Sequence, residues 1–392
     1  MIGCRRADVE LAHREGELLW CARVMKKANW PGPDLEGSAR MNEKRAATVE
    51  ISTDLASLSE IVERFAGKKI VLFGDFVADE FQSGEISRVS REAPVLILRH
   101  RATNVVPGGG ANAANNLAAL GATVYPLTVV GDDPAGSALI GHFRQLRVDT
   151  SGVFRSKNWT TPTKTRYLAS WTHTVAQQVL RVDREPAGPP PERLLARVGA
   201  KLRAKLKNAD AIAISDYGFG VASPSVVKEA VRTWKHKGIV TLDARYRLDA
   251  YTNCGITAAT PNEAELEALH QKNIGRDRIE LERCGKTTLK KMGLQALLVT
   301  RGKDGMALFE RSGKKLTQIP VHGSDQAVDV TGAGDTVLAA ATLALASGAS
   351  ALEAAQIANI AGGLVVMKRG TAVVTQQELV AAIRAEISGG AS

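Results

Sequence analysis

Short apolar runs that stop at glycine or aspartate alternate with helix-like stretches along most of this chain, and that alternation leaves few folds open. "KIVLFGD" (69–75), "TVYPLTVVGDD" (123–133), "DAIAISDYG" (210–218) and "GIVTLDARY" (238–246) each read as a buried strand. Between them, "NAANNLAALGA" (112–122), "SALIGHFRQLRV" (137–148) and "ERLLARVGAKLRAKL" (192–206) read as helices. Strands alternating with helices predict βαβ units on a mostly parallel sheet, an α/β fold. "ALLVTRGKDGMALFE" (296–310) adds a hairpin around a Gly-containing turn. The strands near 81–101 and 160–185 are too polar for that buried sheet and predict a small accessory sheet beside it. Gly74-Asp75, Gly131-Asp132, Ser215-Asp216 and Asp243 all fall at strand C-termini, the edge where open α/β sheets bind ligands.

Residues 1–50 do not share the pattern. Charges of both signs alternate there, and Trp30, Pro31, Gly32 and Pro33 interrupt any period. They read as an extension before a domain spanning 51–392, with Met41 as an alternative start and a short helix from Val9 to Met25 as the other reading. The first firm helix is expected at about Leu55–Phe65. Acidic residues Asp8, Glu10, Glu15 and Glu17 rule out a signal-peptide core, and no apolar run reaches the ~18 residues of a membrane span. Cys4, Cys21, Cys254 and Cys284 form no CxxC pair and have no His partners at zinc spacing, so a reduced, cytoplasmic protein is expected. The net charge of +10 comes from scattered Lys and Arg without a basic block. That suits anionic small molecules better than nucleic acid.

"DVTGAGDTVLAAATLALASG" (329–348) carries the most chemistry. A helix begins where Gly332, Ala333 and Gly334 leave the backbone bare, and glycine there costs roughly 1 kcal/mol. Unpaired amides and the positive end of the helix dipole make such a start an anion cradle. Asp335 then lies in the first turn. A carboxylate beside a bound anion repels it unless its task is to take a proton, the base's part in phosphoryl transfer. The plain alternative is a helix capped by Thr331.

Other stretches are weaker alone. "PGGGANAANNLAALGA" (107–122) is a second Gly-rich turn whose Asn112 and Asn116 share a helical face, a spacing that suits adjacent sugar hydroxyls. In "TPNEAE" (260–265), Thr260 and Glu263 predict a capping box with Pro261 at the first helical position. That leaves Asn262 and Glu265 free to hold a hydrated Mg²⁺. Neither GxGxxG nor GxxxxGK[ST] occurs.

The order of these motifs (Gly-Asp, Gly-Gly with Ala-Asn, Asn-x-x-Glu, "VTRGKDG" and Gly-Ala-Gly-Asp) resembles the ribokinase-like (PfkB) sugar kinases over about residues 67–387. "ANIAGGLVVMKRGT" (358–371) resembles the final helix and turn of that family's nucleotide site. Within the family, "GEISRVSREAPVLIL" (84–98), "TPTKTRYLA" (161–169) with "QQVLRVDRE" (177–185), and "SDYGFG" (215–220) resemble the D-glycero-β-D-manno-heptose-7-phosphate kinases. Two positions depart from that branch. Asp243-Ala244-Arg245 stands where Asp-Pro-Lys is usual, and Phe219 where a lysine is usual. Arg and Lys are not equivalent at a phosphate, so Arg245 is the candidate stand-in.

The resemblance implies a three-layer α/β/α sandwich with a β lid that pairs across a homodimer. It implies ATP-dependent phosphorylation of the anomeric hydroxyl of heptose 7-phosphate in ADP-heptose synthesis. Other sugars or nucleosides and a non-catalytic sugar-binding regulator are the alternatives. Asp335 would be the base, with the amides of Gly332, Ala333 and Gly334 as anion hole. Asp75, Gly109, Asn112 and Asn116 would hold the sugar. Lys164, Arg166 and Gln178 would reach in from the lid, beside Asp216 and Arg245. Asn262 and Glu265 would serve Mg²⁺ and phosphates, while Thr300, Gly302, Gly305 and Asn359 would line the nucleotide. Asp329 and Thr331 would border a monovalent cation such as K⁺. The branch is often fused to an adenylyltransferase; with this chain stopping at Ser392, a separate adenylyltransferase is expected to act downstream.

Overall fold

The computed structural model describes residues 55–171, 175–235, 238–313, 315–323 and 327–389. The expectations for residues 1–50, including Met41, lie outside these. Helix α1 (Leu55–Glu63) leads into β1 (Lys69–Gly74), whose side chains from Ile70 onward are buried. β1 forms the middle of a parallel run with β4 (Thr123–Gly131) on one side and β8 (Ala211–Asp216) on the other. The order continues through β9 (Ile239–Ala244), β10 (Ala258–Ala259) and β11 (Ala296–Thr300). β12 (Met306–Glu310) and β13 (Thr317–Ile319) close that edge antiparallel, and β5 (Val153–Ser156) closes the other. The sheet order is β13-β12-β11-β10-β9-β8-β1-β4-β5. The hairpin expected at 296–310 is the β11–β12 pair.

Side chains alternate across these strands, so each face needs its own helical cover. Val71, Phe73, Ile212, Ile214, Val240 and Leu242 share one core with α4 (Glu192–Leu206), α5 (Pro224–Thr233) and α7 (Arg278–Met292). The opposite face carries α2 (Gly110–Ala119), α8 (Ala333–Ala346) and α9 (Ala351–Val366). Here the hydroxyls of Thr241 in β9 and Thr342 in α8 lie 2.6 Å apart, pinning that helix to the sheet. α8 is buried along nearly its whole length. This explains its Ala- and Leu-rich composition, because a helix covered on all sides has no polar face.

A second sheet runs β3-β2-β6-β7. Its strands are β2 (Phe76–Val89), β3 (Leu96–Gly109), β6 (Thr163–Ser170) and β7 (Gln177–Arg184). This is the accessory sheet expected from polarity, but it starts earlier and ends later than 81–101. β2 begins one residue past Asp75, and β3 runs straight into α2. The buried ends, Phe76–Asp79 and Pro107–Gly109, pack at the main sheet, and polarity signals only their outer halves. The lid is therefore continuous with the sheet's carboxyl edge.

Candidate active site

Gly74, Ser215 and Asp243 are register neighbours across β1, β8 and β9. The residues following each strand therefore emerge side by side at one edge. Above that edge lies the start of α8. Its N-cap is Gly332, in the left-handed region at φ 79°, and no side chain caps the helix. Thr331 is not the cap. A Cβ on Gly332 would lie 2.4 Å from the amide nitrogen of Asn112, so the position demands glycine for both shape and space. No side chain occupies the turn, and within it the Ala333 N–H donates to the Val330 carbonyl at 3.3 Å.

Asp335 is 3% exposed. Its Oδ2 accepts from Asn112 Nδ2 at 2.9 Å and its Oδ1 from the Tyr217 hydroxyl at 3.0 Å. Burial pushes its carboxyl up to about 7, against the pull of those two donors. Asp79 also raises it and Lys164 lowers it. A carboxyl poised near neutrality suits a group that must take up a proton. Tyr217, held in "SDYGFG" just past β8, is a contact the sequence pattern did not single out.

The two asparagines are hydrogen-bonded to each other, and Asn112 to Asp335. Asn116 donates to Asn112 Oδ1 and to the Asn112 backbone oxygen, both at 3.1 Å. It accepts from Thr336 Oγ1 at 3.1 Å. Both asparagines are fully buried. The four-residue spacing makes a relay, in which Asn116 orients Asn112 and Asn112 orients Asp335. Asp75 is committed to backbone partners. Its carboxylate is fully buried and accepts the backbone N–H groups of Tyr217, Phe219 and Val221 at 2.9–3.0 Å. Asp216 accepts from Gly218 N at 2.9 Å and Tyr251 OH at 2.7 Å, which ties it to the turn. Gly109 packs against the Tyr217 ring, 3.2 Å from a built Cβ.

From the lid, Arg166 is paired with Asp79 at 2.6 Å, both nearly buried. Asp79 gave no sequence signal, since it lies inside a long strand. Lys164 stands over the Tyr217 ring at 5.4 Å. Burial, then the charge of Arg245, holds its ammonium below the ordinary range, as expected for cations gathered without their anion. Gln178 is exposed on β7 and lines none of the cavities described here. Arg245, exposed after β9, lines the main cavity.

That cavity, about 600 Å³, is bounded by Tyr217, Asp243, Arg245, Asn262, Glu265 and the Gly332–Asp335 turn. Its volume lies in the ordinary range for ligand sites. Asn262 and Glu265 are themselves the capping box of α6 (Glu263–His270): Asn262 Oδ1 accepts from Glu265 N at 2.8 Å, and Glu265 Oε2 from Asn262 N at 2.9 Å. The box expected at Thr260 and Glu263 is thus displaced by two residues, because Pro261 stays in an extended segment that joins β11. Glu263 pairs instead with Arg301. Asp243, across the cavity, is raised well above the usual carboxylate range by burial and then by Glu265. Burial raises Glu265 too. Two mutually repelling carboxylates facing one space fit a divalent cation that keeps waters and phosphate oxygens as its other ligands. Asp243 is a second carboxylate on this cavity that the sequence pattern did not single out.

A second cleft adjoins the first and shares Thr300, Val330, Ala333 and Gly334 with it. Gly302, Gly305 and Asn359 line it too, with Val330, Val337 and Val366 as apolar walls. Asn359 donates to the Pro320 carbonyl at 2.7 Å. Asp329 accepts from the amides of Thr331 (2.9 Å) and Gly370 (3.0 Å). Burial works against its charge, but those amides and Arg166 leave its carboxyl below the usual range.

A buried carboxyl at a helix start without a side-chain cap, flanked by a polar cavity and an apolar cleft at the sheet's carboxyl edge, is an arrangement suited to the sugar kinase class. The chain belongs to the pfkB family of carbohydrate kinases, which it matches over residues 68–378. It is 39% identical over 312 residues to the "Bifunctional protein HldE" of Geobacter metallireducens and 36% identical over 324 residues to that of Desulfatibacillum aliphaticivorans. Those matches cover 79% and 82% of this chain but only 62% and 64% of the relatives, so the chain spans somewhat under two thirds of their length. Among solved structures, ribokinase of Arabidopsis thaliana complexed with ribose and ATP superposes with TM-score 0.62 at 22% identity, covering 81% of this chain and 99% of that one. Phosphofructokinase-2 from Escherichia coli in complex with potassium gives 0.65 at 19%, covering 82% and 99%. These share the fold.

Proposed function

We propose that this chain transfers the γ-phosphate of ATP to the anomeric hydroxyl of D-glycero-D-manno-heptose 7-phosphate, a step toward ADP-heptose. The reading rests first on Asp335, a buried carboxyl in the first turn of a helix that no side chain caps, beside a cavity bounded by Arg245, Asp243 and Glu265. ATP would lie along the apolar cleft with its phosphates toward the amides of Gly332, Ala333 and Gly334. The sugar hydroxyl would donate its proton to Asp335 as it attacks. Oriented amides at a water-poor site stabilise the charge that gathers on the transferring group. Mg²⁺, held through Asp243 and Glu265, would supply neutralisation of the phosphate charge. Lys164 and Arg245 would face the substrate's own phosphate, with Arg245 standing where the heptose branch has lysine. Asp329, Thr331 and the Gly370 turn offer the surroundings for a monovalent cation.

The choice of heptose is supported by the lid segments, which resemble those of the heptose-7-phosphate kinases. The alternative that keeps the same geometry is another phosphosugar, favoured specifically by Phe219 in place of the branch's lysine. We further infer a homodimer through the lid. Its edge strand β7 is exposed along its length and carries Val179, Leu180 and Val182, each about half exposed. An unpaired edge with such a face is otherwise an aggregation hazard.

The test is ADP release with ATP and Mg²⁺ over heptose 7-phosphate, fructose 6-phosphate, sedoheptulose 7-phosphate, ribose and adenosine, with Asp335→Asn alongside. Turnover on heptose 7-phosphate that falls ~10²–10⁴-fold in the variant supports the assignment. Turnover confined to another sugar moves the substrate and keeps the base. Undiminished turnover in the variant removes Asp335 from the role.

A further inference from the structure

Both oxygens of Asp335 are already engaged by protein donors, one from each side of the cavity. Asn112 approaches from the start of α2 and is backed by Asn116 and Thr336. Tyr217 approaches from the turn after β8, and something must hold that turn against rotation of the phenol. Two observations show what does. The Tyr217 ring is boxed between Gly109, where a Cβ would come within 3.2 Å, and the Lys164 ammonium 5.4 Å from the ring centroid. Its backbone is clamped by Asp75, which takes the N–H groups of residues 217, 219 and 221 on one buried carboxylate. A carboxylate has about four acceptor positions, so three amides nearly fill Asp75 while Asp335 keeps room for a further donor.

We infer that Tyr217 is a positioning residue for Asp335, presented by the Asp75 amide clamp, and that its hydroxyl both aims the carboxylate and sets the pH at which it accepts a proton. The inference rests on the reading of Asp335 as the base. The phenol donates and the carboxylate accepts, so the bond favours the ionised form. Removing the hydroxyl leaves burial less opposed and moves the carboxyl upward. The charged and titratable groups facing Asp335 from the surrounding elements are Asp79 of β2, Lys164 of β6, Asp243 of β9 and Tyr217 itself. Tyr217→Phe leaves the first three in place.

The experiment compares kcat and KM against pH from 5.5 to 9 for the wild-type protein, Tyr217→Phe and Asp335→Asn, with the best sugar of the panel. A hydrogen bond to an ionised group and a one-unit pKa change are of similar size. Tyr217→Phe is therefore expected to raise the acid limb of kcat by about one pH unit, to lower kcat at pH 6 about tenfold, and to leave KM for both substrates within about twofold. Asp75→Asn, which disturbs the clamp, is expected to shift the limb the same way, with no further shift when combined with Tyr217→Phe. An acid limb that stays put in Tyr217→Phe overturns the inference, as does a large rise in sugar KM with the limb unmoved, which would make Tyr217 a substrate contact. Either result leaves the base assignment standing if Asp335→Asn is inactive. Activity in Asp335→Asn across the pH range overturns both.

Discussion

Replacing Asp335 by asparagine should make the protein more stable above neutrality while cutting turnover ~10²–10⁴-fold. The carboxyl is raised from an ordinary 3.8 to about 7, with burial as the largest cause. Within this window the folded protein holds a proton that the unfolded chain has released. Stability of the wild-type protein therefore falls as pH rises from about 4 to about 7, and the full penalty is present above 7. A rise of that size corresponds to about 4 kcal/mol. Asparagine carries no charge to bury, so it escapes the penalty, but the replacement is not free of cost. Its Oδ1 can accept from Tyr217, and its amide then faces the Asn112 amide, donor against donor. Asn112 cannot simply turn, because its own oxygen is held by Asn116. An unmade bond of this kind costs about 1–3 kcal/mol. The net expectation is a variant more stable than wild type by about 1–3 kcal/mol at pH 8. The advantage should shrink by about 2–3 kcal/mol at pH 5, enough to cancel or reverse it. Asp75 is raised to about 7 as well, but it titrates in both proteins and drops out of the difference. Urea unfolding of the two proteins at pH 5 and pH 8, with equal m-values, measures this directly. A stability difference that is the same at both pH values would refute the account of Asp335 as a buried, charge-penalised carboxyl.

The two glycines of the cradle should separate shape from chemistry. Gly332→Ala forces a methyl group against Asn112 and adopts a strained φ, so it should lower both Tm and activity, the latter by more than tenfold. Gly334→Ala meets only the Asp243 carboxylate, at 3.9 Å, so the fold should hold. Its methyl group should cost turnover by intruding where phosphate passes, and equal loss of Tm in both variants would show that neither glycine serves a ligand. On the lid, Leu180→Asp should convert a dimer to monomer by light scattering, and an unchanged mass would remove β7 from the interface.

Much of the fold was legible in the chain because its signals are local. Buried strands ending in Gly-Asp, the hairpin at 296–310 and the helix after Gly332 all emerge from residues near one another. The capping box in "TPNEAE" was misplaced by two residues because both Thr260 and Asn262 are good caps. Only the pairing of the segment before α6 with β11 decides between them. The helix start at Gly332 stood out because glycine there contradicts local propensity, which is where function tends to show.

What the order of residues determined by itself is a glycine-rich helix start with a carboxylate in its first turn, set among strands that end at one edge. What only the tertiary structure decided is which polar groups touch ligand and which hold other groups in place. Asp75 and Asn116 carry residue types suited to a sugar, yet burial commits each to protein partners, since a buried polar group must find hydrogen bonds where it lies. Tyr217, Asp79 and Asp243 join the site because three parallel strands and the lid bring their ends together across gaps of roughly 30 to 260 residues, a proximity no local pattern can encode.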